Sequence, residues 1–132
     1  MKIKTKNKPY YESRLYIGSL IPSVSNDSWT GNVSFADKEF SQKQLEKCVG
    51  LFQDGYEQII PVRITPTCFI AGSSYKENGW EICVINYPKI DTDPVSIDTF
   101  MRGLATHLLE NFRQHSISVV NSDQIVMYQS HK

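Results

Sequence analysis

Apolar residues recur at helical spacing from Val95 to Phe112: Ile97, Met101, Leu104, Ala105, Leu108 and Phe112. A single stripe of this kind predicts a helix packed on a core. Asp93-Pro94 supplies its start signal, a side-chain acceptor followed by a residue that has no N–H to satisfy. A shorter stripe, Leu45, Cys48, Val49 and Phe52, follows Ser41-Gln42-Lys43-Gln44, which fits a capping box. Asp54-Gly55 ends it. Elsewhere the period falls to two. Over Tyr11 to Leu20, Leu15 and Ile17 face one way, Arg14 and Tyr16 the other. Glu57 to Ala71 reads as a strand with Ile60, Val62 and Ile64 on one face and Ile59, Arg63 and Thr65 on the other. Pro61 and Pro66 make it an edge strand or a bulged one. Trp80 to Tyr87 returns with Ile82 and Val84 inward, after a turn over Gly72 to Gly79. Ile117 to Val120 and Ile125 to Tyr128 are short strands parted by a turn at Asn121-Ser122-Asp123.

The order is β-α-β-β-α-β with a terminal β extension. It predicts an α+β, ferredoxin-like domain: two helices on one face of an antiparallel sheet. The length of 132 residues suits one domain over 1–132, with 1–9 as a frayed N-terminal tail. Pro22 to Glu39 is polar and reads as a long loop, with Trp29 and Phe35 pinning it to the body.

Composition narrows the partners. Lys+Arg and Asp+Glu are both 14, so the net charge is zero. That argues against duplex DNA or an anionic membrane surface, where a basic excess supplies most of the affinity. Lys2, Lys4, Lys6 and Lys8 nonetheless make the first residues basic. No apolar run reaches the ~18 residues of a membrane span, and no secretion signal is legible. The three cysteines, Cys48, Cys68 and Cys83, lack metal-like spacing and read as buried hydrophobes in a reducing cytoplasm. No cofactor is implied.

Alternation sends Arg14, Tyr16, Arg63 and Thr65 to the face that the helices leave open, with Ile59, Cys83 and Ile85 beside them. Guanidinium groups near an aromatic ring suit phosphate and a stacked base. On this reading Arg14, Arg63 and Arg113 meet phosphate, Tyr16, Phe69 and Trp80 stack on a base, and Asn86 and Gln114 hydrogen-bond its edges. The apolar part of the same face predicts a homo-oligomer. So does Gly103, flanked by Thr99 and Thr106, where a helix can approach closely.

Leu15-Tyr16-Ile17-Gly18-Ser19-Leu20 resembles the first-strand signature of RNA-recognition-motif domains, with Tyr16 at the stacking position. Gly79-Trp80-Glu81-Ile82 departs from that family's third-strand signature, because Ile82 stands where a second ring belongs. A broader pattern resembles a family of small phage and bacterial proteins that includes the Thoeris anti-defence sponges. It joins Arg14-Leu15-Tyr16-Ile17-Gly18, a helix, Gly55-Tyr56, Gly79-Trp80-Glu81, and a helix closing on Phe112-Arg113-Gln114-His115-Ser116-Ile117. That resemblance implies a non-enzymatic oligomer that captures cyclic ADP-ribose-type signals; no ligand residue is carried over from it. A search for catalytic motifs agrees with a non-enzyme. Cys68 and Cys83 have no His nearby in sequence, and His107, His115 and His131 make no metal spacing. Asp91 and Asp93 lie in a turn, and Gly72-Ser73-Ser74 lacks a phosphate-loop Lys. The expectation is a cytoplasmic protein, phage-encoded, that sequesters a small anionic nucleotide. The alternatives are an RNA- or protein-binding module of recognition-motif shape and a small ferredoxin-like enzyme.

Overall fold

The computed structural model describes residues 2–21, 24–26, 33–35 and 38–130, with 24–26 and 33–35 described by their backbone alone. Its centre is β1 (Glu12–Gly18). On one side β1 pairs with β7 (Lys76–Ile85), and on the other with β8 (Ser116–Val120). Beyond them lie β6 (Arg63–Ile70) and β9 (Ile125–Gln129), so the strand order is β6-β7-β1-β8-β9. Every pairing is antiparallel. Consecutive segments of the chain thus interleave as a ferredoxin-like sheet with β9 added at one edge.

Four short strands fill the segment between β1 and the first helix: β2 (Leu20–Ile21), β3 (Val24–Asn26), β4 (Val33–Phe35) and β5 (Lys38–Glu39). They form two-stranded pairs, β2 with β5 and β3 with β4. The expected loop therefore contains strand structure. Trp29 and the Phe35 side chain, expected to pin it, lie outside the described residues.

Both helices form where their caps predict. In α1 (Gln42–Asp54) the Ser41 hydroxyl accepts from the Gln44 backbone N–H at 3.2 Å, and the Gln44 side chain accepts from Ser41 N–H at 2.8 Å. In α2 (Pro94–Asn111) Asp93 does the same with Ser96. Leu15, Ile17, Ile82, Val84, Ile117 and Val119 line one face of the sheet and share a core with Leu45 and Val49 of α1 and the buried side of α2. That side is broader than the predicted stripe, since Phe100 and Leu109 are buried as well. Gly103 admits a helix, and the helix is the chain's own α1: a Cβ there would lie 2.9 Å from the Phe52 ring. Phe52 packs edge-on against Phe100, with centroids 5.4 Å apart, and against His107. His107 is half-buried between the helices, its Nε2 3.2 Å from the Cys48 carbonyl. Cys68 departs from the expected burial of the cysteines: it is exposed on the edge strand, whereas Cys48 and Cys83 are buried.

β6 starts only at Arg63, so Ile59, expected on the open face, lies in the preceding connection and is 85% exposed. The prolines explain the shortening. Pro61 has no N–H for the ladder, and β6 is an edge strand, where Pro66 is tolerated. Among the described residues no helix is long and apolar enough to cross a membrane.

Candidate functional site on the open sheet face

Register and alternation fix what the uncovered face carries. Glu12, Arg14, Tyr16 and Gly18 of β1 stand opposite Ile85, Cys83, Glu81 and Gly79 of β7. Arg63, Thr65, Thr67 and Phe69 of β6 continue the same rows beyond Cys83, Glu81, Gly79 and Glu77. On the other side Ser118 faces Tyr16. Arg14, Tyr16, Arg63, Thr65 and Phe69 therefore do share one surface.

The surface is not a plain cationic patch. The Arg14 guanidinium pairs with Glu12 and lies 3.8 Å from Glu81. The Tyr10 hydroxyl also donates to Glu12, and the Cys83 thiol donates to it at 3.4 Å. Arg14 first, then Tyr10, hold the Glu12 carboxyl down to about 2. Burial, then the Glu12 carboxylate, push the Cys83 thiol up to about 11, so at neutral pH it is a protonated donor and not a nucleophile. Much of the Arg14 charge is thus already spent on neighbouring carboxylates, which weakens the phosphate role expected of it.

Aromatic groups and one further carboxylate, that of Glu77, occupy the other end of these rows. Tyr16 and Phe69 meet edge to face, their centroids 6.5 Å apart. The Glu77 carboxylate accepts from the Leu20 backbone N–H at 3.2 Å and from the Tyr75 hydroxyl at 2.6 Å. Two glycines make room for this. A Cβ on Gly18 would fall 2.2 Å from the Glu77 carboxylate, and one on Gly79 would fall 2.4 Å from the Ile17 carbonyl and 2.6 Å from the Phe69 ring. Glu77 and Phe69 therefore lie low over bare backbone, leaving a shallow floor between the rings and the acids.

The remaining candidates are placed elsewhere. Trp80 sits on the helix side, 7% exposed, its ring against Phe40 and its Nε1–H donating to Gln42 at 3.1 Å. Strand alternation from Ile82 and Val84 already carries it there. Asn86 lies past the end of β7, where its amide donates to the Pro9 carbonyl at 3.1 Å and its oxygen accepts from Thr92 at 2.9 Å. Arg113 turns the chain at the end of α2 with φ of 51°, and Gln114 is buried, donating to the Leu20 carbonyl at 2.8 Å. Trp80, Asn86 and Gln114 thus tie elements of the fold together, and Arg113 lies at the helix end, all four away from the open face. Glu12, Glu77 and Glu81 are what sequence reasoning passed over. Their signal was the same alternation that selected Arg14 and Tyr16.

The fold and this face define an α+β protein with an aromatic, acid-rich and partly cationic sheet surface. No protein-family model matches the chain, and no curated protein matches it in sequence. Two solved structures share the fold, both with a TM-score of 0.67. One is a phage SAM lyase in complex with S-methyl-5'-thioadenosine, 11% identical, matched over 98% of this chain and 97% of its own. The other is a phage SAM lyase in the apo state, 12% identical, matched over 92% of this chain and 90% of its own. This finding corrects the expectation of a non-enzymatic, sequestering protein: both of these solved structures, matched over nine-tenths or more of each chain, are of a phage SAM lyase. Among the described residues no group of His, Cys, Asp and Glu is arranged to hold a metal ion.

Proposed function

We propose that this chain is an enzyme acting on S-adenosylmethionine or a close adenosyl sulfonium relative, bound on the open sheet face. The observation that carries the proposal is the fold shared over nearly the whole of both chains with a lyase holding S-methyl-5'-thioadenosine. The chemistry of the face supports it. The ligand joins an aromatic base, a sulfonium cation and an amino-acid zwitterion. Tyr16 and Phe69 offer the base an aromatic bed. Glu77 and Glu81 offer carboxylates, and the rings their π-faces, to the positive sulfur and ammonium. Arg63, exposed at the start of β6, offers a guanidinium to the carboxylate. A zwitterion carrying an extra positive charge explains why acids outnumber free cations here, which a phosphate-binding site would not. Breaking the bond between sulfur and the γ-carbon of the amino-acid chain leaves the electron pair on sulfur, giving the neutral thioether of methylthioadenosine. The substrate's own carboxylate gives a pair to that carbon and closes a lactone, so that atoms and charge balance. The small anionic nucleotide expected from the sequence gives way to a nucleoside that bears no phosphate.

The test is incubation of the purified chain with S-adenosylmethionine, followed by mass spectrometry for methylthioadenosine, with calorimetry against both nucleosides. Product above the uncatalysed background, lost in Tyr16→Ala and Glu81→Gln, is expected. Charge-assisted contacts are each worth about 1.5–3 kcal/mol, so Arg63→Ala should raise KM by roughly tenfold to a hundredfold. Failure of the folded chain both to form product and to bind either nucleoside would overturn the proposal.

A further inference from the structure

A second polar cluster lies off the open face, at the lead-in to α2. Its centre is the Lys8 ammonium. Lys8 Nζ donates to the Thr92 carbonyl at 2.8 Å, to Asn86 Oδ1 at 3.1 Å, to Thr92 Oγ1 at 3.3 Å, and to the Ile90 carbonyl. The oxygens are fixed independently of Lys8. Thr92 Oγ1 donates to Asn86 Oδ1 at 2.9 Å, the Asn86 amide donates to Pro9 O at 3.1 Å, and Asn86 N–H donates to Tyr11 O at 2.9 Å. The Thr92 backbone N–H bonds back to Ile90 O at 2.9 Å, and Thr92 itself is buried. All four acceptors are neutral oxygens turned toward one point, the arrangement that replaces the water shell of a small cation. An ammonium has three N–H groups to place, and this cage takes all of them.

We infer that Asn86, Ile90 and Thr92 form a built site for a small ammonium-type cation, which the chain fills with its own Lys8. Emptied of Lys8, the cage binds a free primary ammonium such as methylammonium. Its occupancy clasps the N-terminal arm and the start of β1 to the connection that enters α2. Tyr11 strengthens the same junction by donating to Asp98 of α2 at 2.5 Å. The basic arm therefore has two parts. Lys2, Lys4 and Lys6 are exposed, whereas Lys8 is a tethered ligand.

The test uses the full chain. Lys8→Ala should lower Tm by about 5–10 °C, because part-buried oxygens lose a charged donor. Methylammonium chloride should restore Tm along a saturating curve, while choline chloride at matched ionic strength should not, since its methylated nitrogen has no N–H to give. Amide exchange over residues 8–11 and 86–92 should speed up in the variant and slow again with methylammonium. The unaltered chain provides an independent reading if the variant does not fold: the Lys8 ammonium should give a distinct nitrogen-15 NMR signal with slow proton exchange, unlike Lys2, Lys4 and Lys6. An unchanged Tm in Lys8→Ala, equal rescue by choline, or a Lys8 ammonium exchanging as fast as the other lysines would each overturn the inference.

Discussion

Several single side chains carry measurable consequences. Glu12 is held near 2, against a usual value of 4.5, by Arg14 and then Tyr10. A depressed carboxyl stabilises the fold in full above 4.5 and loses that contribution as pH falls toward 2. Acid denaturation followed by circular dichroism should therefore show a stability loss in that window, and Glu12→Gln should flatten it. Arg113 adopts φ of 51°, where a side chain is strained and glycine is at ease, directly after the Phe112 cap of α2. Arg113→Gly should raise stability by about 0.5–1 kcal/mol in urea denaturation, net of the entropy that glycine adds to the unfolded chain. The thiols should divide by burial. Native protein treated with a thiol reagent should be modified at Cys68, with Cys48 and Cys83 reacting only on unfolding, because burial shields both and raises both thiols.

Elements were legible wherever one local signal decided them. Ser41 and Asp93 announced the helix starts, and Leu15/Ile17 against Arg14/Tyr16 divided β1 correctly between its two faces. What was not legible depended on contacts distant in sequence. Nothing in the neighbourhood of Gly103 says that its groove receives Phe52, and nothing near Trp80 names Phe40 and Gln42 as its partners. The same limit hid the acids of the site, since a carboxylate on an open strand face looks like ordinary solvated surface until Arg14, Tyr75 and Leu20 are seen to engage it. The two glycines of the site separate element from ligand. Gly79→Ala drives a methyl group into the Ile17 carbonyl and should destabilise the β1–β7 pairing by about 1–3 kcal/mol. Gly18→Ala meets the far end of the Glu77 side chain, which can turn aside at the cost of its bonds to Leu20 and Tyr75, so the fold should survive while nucleoside binding weakens. Thermal unfolding and calorimetry of both variants check the contrast.

For the whole molecule, the expected homo-oligomer loses part of its support, because the Gly103 groove is filled from within and Ile59 lies off the sheet. The open face keeps its exposed Ile125 and Met127 on β9. The order of the sheet has a further consequence. β1 sits in the middle of the sheet, yet its partner β8 follows it in sequence only after α1, β6, β7 and α2. At ordinary synthesis rates β1 therefore waits on the order of 5–20 s beside the ribosome before Ser116 to Val120 emerge to flank it. Until then the apolar row of Leu15 and Ile17 has β7 as its neighbour on one side and an open ladder on the other. A nascent chain stalled before residue 116 should thus expose a protease-sensitive, chaperone-binding strand, and folding should be slow and late, governed by the closing of one long loop.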